Sequence, residues 1–477
     1  MNNMNDSKNL IMARKIAKAV SESGGRAYFA GGFVRDSLMG ILSKDIDIEV
    51  HNIEPEKLKE ILSGLGEVTS YGASFGIYGI KGYDIDIAMP RREKAVLPDE
   101  NGKKALMSEN IKEVSSKRGH RDFEIYIDPY LGTEAAARRR DFTMNALMLD
   151  ILSGELVDHF GGEKDIYDGV IRLIDPVSFA EDPLRVLRAA QFAARFMFEI
   201  DDDTASVMSS MDLSGLARER VFDEMKKALL KSPNPSRFFW ELRRLHQLSF
   251  WFPELEALMG ERQNPAFHPE GDVWNHTMLI LDKAAAYRDK VSDPFIFMLA
   301  ALVHDFGKSV SSQEINGVIH SYDHEKTGVP ISESFLCRFT SEKKIIATVK
   351  NLVLYHMKPN VMANAGSSIK KTNHLYDDSD DPEALIYLAL ADYQASGDLE
   401  PDEKVEKFLL DRLRIYREMM KLPEVQGSDL IDAGIKPGPS FSEMLDYSHK
   451  LHLAGIKKDD ALKQTLSYFR NRKSQTV

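Results

Sequence analysis

Residues 45–50 of the 477-residue chain read DIDIEV, and this alternation of acidic and apolar side chains constrains the fold more than any other stretch. A period of two is typical of a β-strand that buries one face. Because successive side chains point to opposite sides of a strand, Asp45 and Asp47 point to the same side. Paired carboxylates repel each other unless cations lie between them, and hard oxygen ligands suit Mg²⁺. The pattern predicts a strand with a magnesium site, although a solvated acidic edge strand has the same pattern.

A glycine turn precedes this strand in the stretch GGFVRD, residues 31–36. Glycine lets the backbone approach a phosphate closely, and the backbone N–H groups of such a turn can face an anion. We predict a helix over residues 34–42 after the turn, and the N-terminus of that helix favours an anion as well. The sequence therefore predicts a nucleoside triphosphate site beside the magnesium site. Its candidate residues are Gly31, Gly32, Arg35 and Asp36.

A second pair of acids, Asp84 and Asp86, lies in the predicted strand over residues 83–88. A two-metal site needs a further carboxylate from a neighbouring strand, so Asp86 is the candidate third magnesium ligand. Acids that merely face solvent from the strand are an equal alternative. The polar residues 94–118 follow and predict a long loop, which in compact domains is usually functional or disordered.

Length and composition narrow the class of protein. A chain of 477 residues is too long for one hydrophobic core, so we expect several domains. Charged residues make up 29% and hydrophobic ones 43%, as in globular proteins, and the longest apolar run, residues 295–303, is too short for a membrane span. The single cysteine, Cys337, excludes an internal disulfide and predicts a reducing, cytoplasmic location. The net charge of -12 argues against general binding to nucleic acid, so any such site must be a local basic surface.

Two basic stretches are candidates for such a local surface. In residues 137–141, ARRRD, three arginines precede Asp141, which we expect to cap a helix that starts there. Arginines ahead of a helix N-terminus can clamp a polyanion, whereas a solvated basic turn is the alternative. Residues 214–245 contain eight Lys or Arg and four Asp or Glu, a net charge of +4. This second stretch predicts a face for an RNA backbone or, equally, a solvated helix surface.

Four motifs follow one another in order between residues 24 and 230: GGFVRD with DID, RRDFTMNAL, EDPLRVLRAAQFAARF and ARERVFDE. Together they resemble the class II tRNA nucleotidyltransferase family, which holds the CCA-adding enzymes and the bacterial poly(A) polymerases. The resemblance implies an α+β fold, in which a small mixed-sheet, polymerase-beta-like head precedes an all-α neck, body and tail. It implies that Asp45 and Asp47 are catalytic. It also implies a nucleotide site formed by Gly31, Gly32, Arg35, Asp36, Arg139, Arg140, Asp141, Asn145, Asp182, Arg185 and Arg188.

In the stretch EDPLR, Asp182 and Arg185 are three residues apart at the predicted start of a helix, hence on one face. A carboxylate only accepts hydrogen bonds and a guanidinium only donates them. Cytosine and adenine each present an amino donor beside a ring-nitrogen acceptor, so one Asp-Arg pair can satisfy both bases. Uracil and guanine present the opposite pattern, and each unpaired buried polar group costs roughly 1–3 kcal/mol. The pair predicts selection of CTP and ATP without a template; a surface ion pair is the alternative.

From about residue 262 the sequence changes character, and histidines and acids recur at wide spacing. His304 and Asp305 are adjacent in ALVHDFGK, so they cannot enclose a metal without ligands from other helices. Imidazole and carboxylate suit a catalytic transition metal, which can activate water for phosphoester hydrolysis. The spaced set resembles the HD phosphohydrolase superfamily, and HPEGDVWNH resembles the HD-bearing branch of CCA-adding enzymes. The ligands that this resemblance implies are His276, His304, Asp305 and Asp392, with His324 and His356 as additional ligands of binuclear members. A degenerate, purely structural HD domain is the alternative.

These observations predict four domains: a nucleotidyltransferase head over residues 1–150, a helical neck and body over 151–262, an HD domain over 263–400 and a helical tail over 401–477. The expected reaction is template-independent addition of CMP and AMP to the 3′ end of tRNA, with a second, metal-dependent phosphohydrolase activity. The expected cofactors are Mg²⁺ in the head and a divalent transition metal in the HD domain. The expected partners are tRNA, CTP and ATP, with no membrane and no obligate protein partner.

Several alternatives stay open from sequence alone. An enzyme that adds only CC is disfavoured by the long loop after Arg92, whereas an enzyme that adds only A is not excluded. A poly(A) polymerase usually carries a basic C-terminal extension, which we do not find here. The chain could also be an HD phosphohydrolase with a non-catalytic, RNA-binding head, or an RNA-binding scaffold that consumes no nucleotide.

Overall fold

The computed structural model of the protein describes residues 8–42, 45–70, 76–95, 114–116 and 123–474. Contacts divide the chain into two compact units. The head unit comprises Met1–Glu224 and Glu241–Phe250, and the helical unit comprises Met225–Trp240 and Trp251–Val477.

The strands of the head unit form one mixed sheet of seven strands, a three-stranded sheet and one short pair. In chain order they are β1 (Arg26–Ala30), β2 (Ile46–His51), β3 (Val68–Ser70), β4 (Tyr78–Ile80), β5 (Ile85–Ala88), β6 (Arg91–Ala95), β7 (Val114–Ser116), β8 (Phe123–Ile127), β9 (Met148–Asp150), β10 (Leu156–Val157), β11 (Val170–Ile171) and β12 (Glu199–Ile200). The seven-stranded sheet has the order β10-β9-β1-β2-β5-β4-β3, and the three-stranded sheet has the order β6-β8-β7.

The central strands β1, β2 and β5 bury their apolar residues in the main core of the head. Ile46 and Ile48 on β2 and Ile85 and Ile87 on β5 are all buried there, as the alternation of acidic and apolar residues predicts. Strands β2 and β5 run parallel, whereas β1 runs antiparallel to β2. The predicted α+β class with a mixed-sheet head is therefore confirmed.

Helices of the head unit cover the sheet and continue beyond it. They are α1 (Lys8–Glu22), α2 (Gly32–Leu38), α3 (Pro55–Leu65), α4 (Thr133–Arg138), α5 (Gly162–Asp168), α6 (Pro176–Phe179), α7 (Leu184–Phe196) and α8 (Asp202–Ser209). Helices α9 (Arg218–Lys231) and α10 (Ser236–Arg244) run across the division between the units.

The remaining elements belong to the helical unit. They are α11 (Pro253–Glu256), α12 (Val273–Ala285), α13 (Pro294–Val303), α14 (Lys308–Ser311), β13 (Gln313–Ile315), β14 (Val318–His320), α15 (His324–Phe339), α16 (Lys343–Tyr355), α17 (Lys358–Asn364), α18 (Ile369–Asp377), α19 (Pro382–Ala395), α20 (Glu403–Met419), α21 (Gly427–Asp432), α22 (Pro439–Leu453) and α23 (Lys458–Ser474). The apolar run at 295–303 is the buried helix α13, and no described helix is long and apolar enough to cross a bilayer.

Three local predictions differ from the structure. Helix α2 ends at Leu38, four residues before the predicted end, since Gly40 adopts a positive φ of 72° that terminates the helix. Asp141 precedes only the 3-10 turn Thr143–Asn145 and not an α-helix. Parts of the predicted loop 94–118 are strand, because β6 includes residues 94 and 95 and β7 covers 114–116; its other residues lie outside the described chain.

Candidate active site and metal centre

Three carboxylates share one exposed face of the head sheet. Because β2 and β5 are parallel and in register, Asp47 lies directly beside Asp86. Asp45 precedes Asp47 by two residues, and all three side chains are exposed while their apolar neighbours are buried. Carboxylate oxygens on adjacent strands are the hard ligands that Mg²⁺ prefers. The structure therefore brings together the two predicted ligands and the candidate third one.

The charge state of Asp47 reflects this crowding. Partial desolvation by the surrounding protein raises the pKa of Asp47, and the neighbouring carboxylates Asp86 and Asp45 raise it further, while Arg140 and Arg35 oppose the shift. Asp47 nonetheless stays accessible to solvent. A carboxylate whose neighbours disfavour its charge gains from a bound cation, so this donor set fits Mg²⁺.

The glycine turn lies directly against these acids. Gly31 has a φ of 63°, a conformation that glycine adopts without strain. A Cβ atom at Gly31 would lie 2.7 Å from Nη1 of Arg140 and 3.8 Å from Oδ2 of Asp47, so a side chain here would displace the Arg140 guanidinium. Gly32 begins α2 at the same turn. The predicted phosphate turn, the predicted arginine and the predicted metal ligand therefore meet at one point.

Arg140 is held there by Glu49, a residue whose role the sequence pattern did not reveal. Nη2 of Arg140 donates to Oε2 of Glu49 at 2.9 Å, and Nε2 of His51 lies 2.9 Å from Oε1. Burial alone would raise the pKa of Glu49, but hydrogen bonds from His51 and Arg140 lower it to about 2. The buried Glu49 carboxylate is therefore ionised at neutral pH. In the sequence, Glu49 continues the alternation of acidic residues begun by Asp45 and Asp47, so the pattern alone did not distinguish it from them.

A continuous polar network fixes most of the other predicted nucleotide-site residues. Arg35 is buried; it donates to Oδ1 of Asp36 at 2.8 Å and to Oδ1 of Asn145 at 2.5 Å. Asn145 donates to Oδ1 of Asp141 at 2.9 Å, and Arg188 donates to Oδ2 of Asp141 at 2.8 Å. Burial alone would raise the pKa of Asp141, but Arg188 and Asn145 hold it below its ordinary value. The network links α2, the 3-10 turn and α7.

Asp182 and Arg185 flank the start of α7 but are not paired with each other in the described structure. Asp182 accepts a hydrogen bond from Arg220 Nη2 at 2.8 Å. Arg185 donates to the carbonyl oxygens of Ser178 at 2.9 Å and Arg139 at 2.8 Å. Separate partners therefore hold the acceptor and the donor, and both side chains are half-buried. The alternative to base selection was a surface ion pair between Asp182 and Arg185, and the described structure does not contain that pair.

Six side chains converge on one centre in the helical unit. His276 lies on α12, His304 and Asp305 follow α13, His324 begins α15, His356 follows α16 and Asp392 lies on α19. Nε2 of His276 is 3.0 Å from Oδ1 of Asp392, and Oδ2 of Asp305 is 3.1 Å from Nε2 of His304. On the other side, Oδ1 of Asp305 is 3.3 Å from Nε2 of His324 and 3.9 Å from Nε2 of His356. Every predicted ligand of the HD domain is thus present at this centre.

The four histidines present the same nitrogen to the centre. Their Nδ1 atoms are engaged elsewhere: that of His276 lies 2.8 Å from Oε1 of Glu270, and those of His304, His324 and His356 lie 2.7–2.9 Å from backbone carbonyl oxygens. Such contacts fix the ring tautomer and leave Nε2 as the coordinating atom. The donor set therefore fits a transition metal.

The centre also contains buried polar atoms that lack a proper partner. Nε2 of His304 and both carboxylate oxygens of Asp305 make no hydrogen bond of acceptable geometry among the described residues, although Nζ of Lys308 lies 2.7 Å from Oδ2. Burial alone would raise the pKa of Asp305, but His304 and Lys308 hold it well below its ordinary value. Burial with His304 and His324 nearby lowers the pKa of His356 to about 3, so this ring is neutral. A neutral imidazole beside an ionised carboxylate is ready to bind a metal.

Glu270 supports this centre and was also missed from sequence. Its Oε1 lies 2.8 Å from Nδ1 of both His268 and His276. Burial alone would raise the pKa of Glu270, but its hydrogen bonds with the two histidines lower it to about 2. Burial alone would lower the pKa of His276, but hydrogen bonds to Asp392 and Glu270 raise it to about 9. Glu270 lies two residues from His268 and six from His276, and this spacing matches neither a helix nor a strand period, so the sequence did not indicate its role.

Comparison with known families finds matches in both units of the chain. The model of the poly A polymerase head domain matches residues 27–172, that of the HD domain matches 273–396, and that of a probable RNA and SrmB- binding site of polymerase A matches 197–259. The multifunctional CCA protein of Pasteurella multocida is 34% identical over 322 residues, which cover 66% of this chain and 70% of that protein. The one from Haemophilus ducreyi is 32% identical over 351 residues, covering 71% and 77%. The chain belongs to the multifunctional CCA protein family.

Solved structures support the same assignment at the level of the fold. The Thermotoga maritima CCA-adding enzyme complexed with tRNA superimposes with a TM-score of 0.62 at 20% identity, over 98% of this chain and 97% of that one. The Bacillus stearothermophilus CCA-adding enzyme in complex with CTP gives a TM-score of 0.66 at 20% identity, over 98% and 100%. In this member of the family, the head match contains the three acids and the glycine turn, whereas Asp182, Arg185 and Arg188 lie between two matched segments.

Proposed function

We propose that the head adds CMP and AMP, from CTP and ATP, to the 3′ end of tRNA, as a CCA-adding nucleotidyltransferase. The observation that carries the proposal is the parallel register of Asp47 with Asp86 beside the Gly31 turn and Arg140. Membership of the multifunctional CCA protein family supports it. This reaction takes place in the cytoplasm, where tRNA, CTP and ATP are available.

In this reaction the 3′-oxygen of the RNA bonds to the α-phosphorus of the nucleotide, and the bond from that phosphorus to the β-phosphate oxygen breaks. Asp45, Asp47 and Asp86 would hold Mg²⁺, which when bound lowers the pKa of the 3′-hydroxyl and offsets charge on the departing pyrophosphate. The backbone of the Gly31 turn and the guanidinium of Arg140, which lie against each other, would face the triphosphate. Arginine charge in place before the reaction stabilises the transition state without reorganisation.

The polar network around Arg35 orients the nucleotide. Its buried guanidinium stacks on the rings of Phe192 and Phe196, at 5.0 and 4.7 Å from their centroids, and bonds Asn145. This arrangement ties the phosphate turn to α7, the helix that begins just after Asp182. Base selection by Asp182 and Arg185 then follows from their complementary acceptor and donor character.

The test uses three labelled tRNAs that end before CCA, after C or after CC, each with Mg²⁺ and with CTP and ATP singly and together. Extension of all three to CCA is the expected result. Extension only of the CC-ended tRNA would indicate an A-adding enzyme, arrest at CC would indicate a CC-adding one, and a long A tail would indicate a poly(A) polymerase. Absence of any extension would overturn the proposal and leave an RNA-binding head.

A second function is favoured by the centre in the helical unit: metal-dependent phosphoester hydrolysis. Four Nε2 atoms and the buried Asp305 carboxylate supply a nitrogen-rich donor set that fits a transition metal, which when bound would activate water. The pure protein should retain such a metal and hydrolyse a generic phosphoester such as bis(p-nitrophenyl) phosphate. Retention of the metal without hydrolysis would mean that the centre is structural.

We propose a division of the chain into four domains: a head over 1–150, a neck and body over 151–262, an HD domain over 263–400 and a tail over 401–477.

A further inference from the structure

Arg140 has two anions within reach of its guanidinium. Nη1 of Arg140 and Oδ2 of Asp47 border the same small space above the Gly31 turn. On the opposite side, Nη2 donates to Glu49 at 2.9 Å. Within the described residues, the ion pair at 4.0 Å or less that Arg140 makes is with Glu49 and not with Asp47. The choice of partner matters, because a carboxylate neutralised by an arginine is a weaker ligand for a cation.

The surroundings of Glu49 make it the preferred ion-pair partner of Arg140. It lies two residues beyond Asp47 on β2, but it is only 9% exposed, whereas Asp47 is open to solvent. Its second oxygen lies 2.9 Å from Nε2 of His51, and Nδ1 of His51 lies 3.0 Å from the carbonyl oxygen of Leu131. The carboxylate is therefore held on both sides. Removing one partner of a buried ion pair is strongly destabilising, because it leaves an uncompensated buried charge.

We propose that Glu49 is a positioning residue of the head site, whose carboxylate holds the Arg140 guanidinium beside the glycine turn so that Asp47 remains available to magnesium. The inference rests on the proposed nucleotidyl transfer and adds a residue to it. The contacts of the Glu49 carboxylate are with Arg140 and His51, so in this role it would be neither a metal ligand nor a nucleotide ligand. It acts through Arg140, which it directs toward the position of the triphosphate and away from Asp47.

Loss of the Glu49 charge has a specific consequence. Glu49→Gln keeps the size of the side chain and one acceptor oxygen but leaves Arg140 without its buried anion. Asp47 is then the neighbouring carboxylate that can neutralise the guanidinium, and this new ion pair competes with the cation. We expect weaker metal binding at the head and a higher KM for CTP and ATP, with a smaller change in kcat at saturating metal.

The experiment measures Mn²⁺ binding, as a spectroscopic substitute for Mg²⁺, by electron paramagnetic resonance on the full chain. An Asp305→Asn background weakens competing binding at the second centre. Glu49→Gln should weaken the head affinity about tenfold, within the range of roughly 10–100-fold that loss of a supporting residue typically costs. The matched control is Asp150→Asn, which removes another buried carboxylate of the same sheet that pairs with an arginine, Arg26, at 3.0 Å. This control should leave the affinity unchanged.

A double substitution tests whether Glu49 acts through Arg140. In an Arg140→Ala background, Glu49→Gln should have no further effect on Mn²⁺ affinity. An unchanged affinity in the single variant, or a full effect without Arg140, would overturn the inference. If Glu49→Gln fails to fold, Glu49→Asp keeps the charge on a shorter side chain and should weaken the affinity by a smaller factor; no change there would equally overturn it. Because Mn²⁺ binding does not require catalysis, a wild type that binds Mn²⁺ but extends no tRNA would refute the proposed function alone.

Discussion

The head and the helical unit assemble their candidate metal ligands in opposite ways. In the head, Asp45, Asp47 and Asp86 come from two adjacent strands and remain exposed. In the helical unit, six ligands come from five segments, and the four histidines and Asp305 are at most 6% exposed. One site is therefore an open row of oxygen atoms, and the other is a closed cluster dominated by nitrogen.

This difference predicts how each metal behaves. An exposed carboxylate site leaves room for water and substrate oxygens, as Mg²⁺ requires, so its metal exchanges with solvent and arrives with the nucleotide. Buried imidazoles with fixed tautomers bind transition metals more tightly, so that metal should remain bound through purification. The two sites should consequently respond independently to substitution and to chelation.

The sharpest test of independence is Asp47→Asn. We expect kcat for CMP incorporation to fall on the order of 10³-fold or more, since in the proposed mechanism the substitution removes a charged metal ligand at the reacting phosphate. The content of transition metal, measured by inductively coupled plasma mass spectrometry, should stay the same. A variant within tenfold of wild-type activity would break the assignment of Asp47.

The reciprocal substitution is Asp305→Asn, at the centre of the histidine cluster. Loss of the carboxylate that lies close to His304, His324 and His356 should reduce the affinity for the retained metal by at least about 10²-fold, with phosphoester hydrolysis lost as well. Addition of CMP and AMP should persist. A chain that loses nucleotide addition in this variant, while its melting temperature is unchanged, would show that the two sites are coupled.

Glu270→Gln refines the picture of the helical site. The amide keeps a partner for His276 but removes the charge that supports it, so metal affinity should fall by roughly 10–100-fold, less than for a ligand. The measurement is competition for the metal with a chromogenic chelator. Glu333→Gln, which removes a partly exposed carboxylate paired with Lys350 at 2.8 Å, is the control and should have no effect.

His449 provides the contrast to the metal-site histidines, because both of its ring nitrogens are already occupied. Nε2 lies 2.9 Å from Asp377, and Nδ1 lies 3.0 Å from Glu424. Burial alone would lower the pKa of His449, but these two carboxylates raise it above 6.5. Its contribution is thus present below pH 6.5 and is lost as pH rises through the folded pKa.

The expected contribution of His449 is small because the ring is partly exposed. The free energy of unfolding of wild type should exceed that of His449→Gln by about 1 kcal/mol below pH 6.5, and this difference should shrink as the pH rises through the folded pKa. Urea denaturation across this range measures it. A difference that grows with pH would mean that the ring is neutral in the folded protein.

Local sequence predicted much of the head. The period of two in DIDIEV placed Asp45 and Asp47 on one face, and the second acidic strand supplied Asp86, because strand geometry alone determines which side chains share a side. The apolar run at 295–303 was correctly judged too short for a membrane span. Such features depend on neighbours a few residues away, which a sequence displays directly.

Tertiary structure decided what depends on distant residues. The register of β2 with β5 brings Asp47 beside Asp86, and packing of α12, α13, α15, α16 and α19 brings His276 to Asp392 across 116 positions. Neither the ion pair of Glu49 with Arg140, 91 residues away, nor the support of His276 by Glu270 follows from periodicity. Sequence by itself determined which chemical groups are present and which face they occupy. Only the fold decided which of them meet, since a pairing between distant segments depends on how whole elements pack.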